Sequence, residues 1–115
     1  MPHLVIEYSD VDYSRAVVAD MMSAAHAGAM ASGLFTEQDV KVRAYPCQYV
    51  LVGGDVGSTI HVTVYLLSGR DQDTQKKLAA AVLEHIAALD LAPSSLSVDC
   101  RDMDRAVYSK VTTKT

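Results

Sequence analysis

Apolar positions change period along this chain, from every second residue to every third or fourth and back, and the cycle then runs a second time. Residues 3–8 (HLVIEY) are rich in aliphatics and end at Ser9-Asp10, which predicts a buried strand. Ser9 or Asp10 offers an oxygen acceptor to the free N–H groups of a following helix. That helix is expected over residues 11–32, with Val17, Met21, Ala24, Ala25 and Gly28 on its apolar stripe. Gly33 follows where a left-handed stop residue belongs. Residues 40–44 alternate like a strand, and Tyr45-Pro46 interrupts them because proline has no N–H for a ladder. Extended structure resumes at residues 48–52, turns at residues 53–57 (GGDVG), and continues in residues 59–67 (TIHVTVYLL), the clearest strand of the chain. Residues 48–67 therefore read as an antiparallel hairpin. No helix follows the glycines and no Lys-Ser/Thr pair closes them, so they are not a phosphate loop.

Asp71 opens a second helix, to about Leu89, with Leu78, Val82, Ile86 and Leu89 on its inner face, and Asp90-Leu91-Ala92-Pro93 stops it. Leu96, Val98 and Cys100 then alternate with Ser97, Asp99 and Arg101, giving a last strand with one wet face. The tail from Asp104 is polar, with Val107 and Tyr108 as docking residues. The order β-α-β-β-α-β divides into two similar halves, about 2–52 and 59–103, within one domain over residues 1–115. Two βαβ units give an α+β fold in two layers, a four-stranded mixed sheet with two helices on one face. Val62, Val64 and Leu66, set against Leu4 and Ile6, suggest that the other face is apolar as well, which self-association around a symmetry axis would cover.

Composition narrows the function classes. The net charge of −4 lacks the basic excess of a nucleic-acid surface, and one Phe with no Trp makes no base-stacking platform. Cys47 and Cys100 stand far apart and read as free thiols of a reducing compartment. There is no Asn to glycosylate, no basic leader and no apolar run near the roughly 20 residues that span a bilayer. The expectation is a cytoplasmic protein without membrane attachment. No His, Cys, Asp or Glu cluster has metal spacing, so neither metal nor cofactor is predicted. His3 and His61 occupy matching strand positions and read as hydrogen-bonded strand histidines, His26 and His85 as solvent-edge residues.

The candidate chemistry begins at Pro2. Removal of Met1, expected before a small residue, would expose a secondary amine with no flexible tether. An α-amine has a pKa of about 8. An apolar pocket with cations nearby disfavours its charged form and leaves it neutral near pH 7, as a general base requires. Met-Pro alone is a common start, so the residues around it decide.

Met1-Pro2-His3, the strand after it and Glu7-Tyr8-Ser9 resemble the opening of 5-carboxymethyl-2-hydroxymuconate isomerases. Gly33-Leu34-Phe35, Val40-Lys41-Val42-Arg43, His61-Val62-Thr63, Gly69-Arg70 and the tail from Met103 to Lys110 follow that family in order and approximate spacing. Ser68-Gly69-Arg70 with Gln75-Lys76 also resembles a helix start in the related 4-oxalocrotonate tautomerases. The resemblance implies a homotrimer of double βαβ subunits acting on a small dicarboxylate, with Pro2 shuttling the proton. It also implies carboxylate-binding cations at Arg70 and at position 41. Lys41 stands where the family has arginine, and Arg43 lies two residues along on the same strand face. Lysine cannot make arginine's planar two-pronged contact. Either Lys41 serves, or Arg43 takes over, or the substrate differs.

Ile60 matches Pro2 in the second half and has no free amine, while Arg70 matches about Asp10-Val11, which carry no cation. One site per subunit is expected. Two competing readings remain: decarboxylation, hydration or dehalogenation of a small acid at Pro2, or a ferredoxin-like ligand-binding module without catalysis.

Overall fold

The computed structural model describes residues 1–10 and 13–113. Strand β1 (His3–Ser9) leads to helix α1 (Arg15–Ala31), and β2 (Lys41–Cys47) follows a short 3₁₀ turn at Glu37–Asp39. Two short strands, β3 (Leu51–Val52) and β4 (Asp55–Val56), precede β5 (Thr59–Leu67), helix α2 (Gln72–Ala87) and β6 (Ser95–Met103). The sheet order is β2-β1-β5-β6, parallel within each outer pair and antiparallel at its centre between β1 and β5. Among the described residues no helix is long and apolar enough to cross a membrane.

One layer of the core comes from Leu4, Ile6, Ile60, Val62, Val64 and Leu66, the other from Met21, Ala25 and Ala29 of α1 and Leu78, Val82 and Ile86 of α2. Burying each large aliphatic stabilises the fold by about 1.5–3 kcal/mol. The helices approach closely at Gly28, where an added Cβ would lie 2.6 Å from Val82 Cα. Gly33 has φ +73°, the left-handed conformation that ends α1. Asp71 caps α2 by accepting the Thr74 N–H at 2.8 Å.

Four local expectations are corrected. Helix α1 begins at Arg15 and is capped by Ser14, which accepts the Val17 N–H at 3.2 Å, not by Ser9 or Asp10. The expected first helical residue, Val11, lies outside the described residues. Ser9 instead is buried and ties β1 to β5, its hydroxyl taking the Thr59 N–H at 2.7 Å. Strand β2 runs through Pro46, because it is an outer strand that tolerates a missing donor. The hairpin expected over residues 48–67 is confined to the β3–β4 arm across Gly53-Gly54, since β5 spends its ladder on β1 and β6.

The fourth correction concerns the sheet faces. Leu4 aligns with Val64, and Ile6 with Val62, so these residues share the helix-covered face. On the open face Val5 aligns with Arg43 and Thr63, and Thr63 with Asp99. That face is polar, so no second apolar face needs a cover.

Candidate active site

The antiparallel centre of the sheet reverses the second βαβ unit relative to the first. One end of the sheet therefore gathers the starts of β1 and β2, the ends of β5 and β6, and the turns into and out of the helices. Pro2 lies at this end with its ring buried, and its carbonyl accepts the Lys41 N–H at 3.1 Å. The backbone ladder thus fixes the position of the Pro2 nitrogen.

A cleft of about 370 Å³ opens beside the chain start, lined by Met1, Leu34, Phe35, Arg70, Arg105 and Tyr108, among others. Arg70 stands just before α2. Its guanidinium donates to the Leu34 carbonyl at 3.1 Å and lies over the Phe35 ring, 5.2 Å from its centroid. These contacts aim a rigid planar donor along an apolar wall. Arg105 wraps the Ser68 carbonyl with its Nε at 3.2 Å and a terminal nitrogen at 2.9 Å. Lys110 reaches the Asp39 carboxylate at 3.2 Å. Adjoining space holds Lys41, whose Nζ donates to the Asp39 carbonyl at 2.7 Å. The described lining of the two spaces therefore carries four permanent cations, Lys41, Arg70, Arg105 and Lys110, against the single carboxylate Asp39.

Burial, reinforced by this excess of positive charge, shifts titration here. The Met1 α-amine, which donates to the Asp39 carbonyl at 3.3 Å, has its pKa lowered from 8.0 to about 6. Burial is the main cause, followed by the charges of Lys41 and then Lys110. Burial, with Arg43 and Lys41 behind it, also lowers the pKa of His3. The Lys110 hydrogen bond holds the Asp39 carboxyl below its usual range.

Of the residues singled out in the sequence, Pro2, Arg70 and Lys41 gather at this end. Arg43 does not line either space; its guanidinium turns to His3 Nδ1 at 3.0 Å. Arg105 and Lys110 were not singled out as site residues. Tyr108 docks as expected, with its hydroxyl 3.3 Å from His3 Nε2, whereas Val107 is left exposed. His61 is hydrogen-bonded to Ser97 Oγ at 2.7 Å, as a strand histidine should be.

The family described as 5-carboxymethyl-2-hydroxymuconate isomerase matches residues 2–111, from Pro2 through the tail that walls the cleft. The chain belongs to the 5-carboxymethyl-2-hydroxymuconate isomerase family. It is thereby an isomerase-type enzyme. A 5-carboxymethyl-2-hydroxymuconate isomerase from Deinococcus radiodurans R1 shares the fold at TM-score 0.72 and 21% identity, over 97% of this chain and 90% of that one. A fused 4-OT, a symmetric trimer, superposes at TM-score 0.75 with 20% identity, over 90% and 87% of the two chains. FG41 malonate semialdehyde decarboxylase, inhibited by 3-bromopropiolate, does so at 0.76 with 17% identity, over 96% and 90%. No curated protein sequence matches the chain. Position 41, where the resemblance calls for a guanidinium, holds a lysine in this isomerase-family chain.

Proposed function

We propose that this isomerase moves a proton along an unsaturated hydroxy or oxo dicarboxylate, such as the 5-carboxymethyl-2-hydroxymuconate of its family name, with Pro2 as the base. The observation that carries the reading is the depressed pKa of an amine at the chain start, beside a cation-lined cleft. With Met1 attached, the Pro2 nitrogen is an amide without a basic lone pair. Excision of Met1 makes it a secondary amine among the same cations, and its neutral form is favoured for the same physical reasons.

The neutral nitrogen removes a proton from the substrate and returns it at another carbon. Substrate and product are isomers, so the step is redox-neutral. Between the two transfers, negative charge spreads over a dienolate and its oxygen. Arg70 and Lys41 hold carboxylates, while fixed cations around the cleft meet the developing charge without reorganising.

A fused 4-OT of the same fold is a symmetric trimer, and we extend that assembly to this chain. The fold shared with FG41 malonate semialdehyde decarboxylase, together with lysine at position 41, supports a competing reading, loss of carbon dioxide from a small oxo acid at the same amine.

The test is Pro2→Ala in protein whose mass shows that Met1 is gone. The expected result is a drop in kcat/KM of about 10²-fold or more, the usual contribution of a positioned base, with an unchanged melting transition. Wild-type protein that turns over neither 5-carboxymethyl-2-hydroxymuconate nor 2-hydroxymuconate rejects the isomerase substrate class. Turnover of malonate semialdehyde alone selects decarboxylation.

A further inference from the structure

Arg43, His3 and Tyr108 form a hydrogen-bond chain that ends at the cleft. Arg43 lies 3.0 Å from His3 Nδ1, and His3 Nε2 lies 3.3 Å from the Tyr108 hydroxyl. The two rings meet edge to face with centroids 6.4 Å apart. A guanidinium has donors and no acceptor, so Arg43 donates and Nδ1 accepts. A neutral imidazole carries one N–H, which must then sit on Nε2. That group donates to the Tyr108 oxygen. Burial and the neighbouring Arg43 and Lys41 keep the imidazole neutral by lowering its pKa.

The direction of the chain has a consequence for Tyr108. Its oxygen is already an acceptor, so its own proton points elsewhere. Among the described residues no acceptor takes that proton, and Tyr108 lines both the Arg70 cleft and the adjoining Lys41 space.

We infer that Tyr108 is a catalytic residue whose hydroxyl donates to the substrate oxygen on which negative charge develops, with His3 and Arg43 as positioning residues that fix its direction. The reaction it serves rests on the proposed isomerisation; the direction of the donor rests on the hydrogen-bond chain alone. This assignment also gives Arg43 a role that does not involve touching substrate.

The test has arms that do not need turnover. Nitrogen-15 spectra of the histidine rings at neutral pH should show His3 as the Nε2–H tautomer, and Arg43→Met should convert it to a mixture. Adipate and 2-oxoadipate, dicarboxylates that differ by one oxo oxygen, are titrated calorimetrically against wild type and Tyr108→Phe. Wild type should favour the oxo acid by about 3- to 10-fold, the effect of one hydrogen bond. Tyr108→Phe should lose that preference and keep its affinity for adipate. In turnover, Tyr108→Phe should lower kcat by about 10²–10³-fold and raise KM by no more than the roughly 3- to 10-fold lost in binding. An Nδ1–H tautomer in wild type, no oxo preference in wild type, or a preference that survives in Tyr108→Phe overturns the assignment. Pro2→Ala should leave the tautomer and the oxo preference intact, so failure of the base reading registers separately.

Discussion

Lys41 and Lys110 both act against a proton on the chain-start amine, Lys41 more strongly, after burial itself. A prolyl amine exposed by loss of Met1 should keep both neighbours, since it lies one residue along the chain. An amine with a lowered pKa is protonated, and inactive as a base, only below that value. Accordingly kcat/KM should rise with pH through the lowered pKa and then level off. Lys41→Met removes a charge that lowers the pKa, so the pKa rises and the acid limb moves to higher pH. A pH profile of kcat/KM in which that limb stays in place would take Lys41 out of the electrostatics of the base. Arg70→Lys keeps a charge but loses the planar fork and the seat on Phe35. Its expected signature is a KM raised about 10-fold with a smaller change in kcat, read from initial rates. Arg70 and Lys41 could be named from the sequence only through the family resemblance, because spacing alone suits Arg70 equally well as a surface residue before a helix. The spacing of Arg43 placed it on the face of Lys41, but spacing does not say where a long side chain ends, and His3 captures it. Arg105 and Lys110 lie in a tail without periodicity, and their place in the cleft lining depends on the direction in which β6 runs.

Helix packing turns on Gly28. Alanine there gains about 1 kcal/mol of helix propensity. Its methyl, however, would meet Val82 Cα at 2.6 Å and the Ala81 carbonyl oxygen at 2.9 Å. These are backbone atoms that cannot rotate aside. Overpacking of this kind costs about 1–3 kcal/mol, so Gly28→Ala should be net destabilising and lower the urea midpoint at unchanged slope. A raised midpoint would mean that the helices separate more easily than their contact implies. The elements themselves were largely readable from period, since the stripes of α1 and α2 and the alternation of β1, β5 and β6 are local signals. Pairing is not local. The glycine turn before β5 is real, but Thr59 pairs across the sheet because Ser9, far away in sequence, holds its N–H. Likewise, alternation shows that Leu4 and Val62 each sit on an apolar face, and only the register shows that the two faces are the same.

Assembly draws attention to the β3–β4 arm, which carries Tyr49, Leu51 and Val56 at 88%, 70% and 92% exposure while the open sheet face is polar. If the chain is a trimer, these three side chains are the apolar surface that gains most from a neighbouring copy, because contiguous exposed apolar groups mark contact sites. The arm has its own two-strand ladder and contributes no residue to the buried core, so changing its tip should leave the fold intact. Sedimentation of the wild type should then give about 37 kDa, three times the 12.4 kDa chain. Leu51→Asp combined with Val56→Asp places a carboxylate on each short strand, and desolvating those charges at an interface outweighs the apolar contact they replace. The double variant should sediment as a monomer with an unchanged circular dichroism spectrum. A variant that remains trimeric assigns the contact to another surface, and the polar open face of the sheet, with Arg43, Thr63 and Asp99 in register, is then the next surface to change.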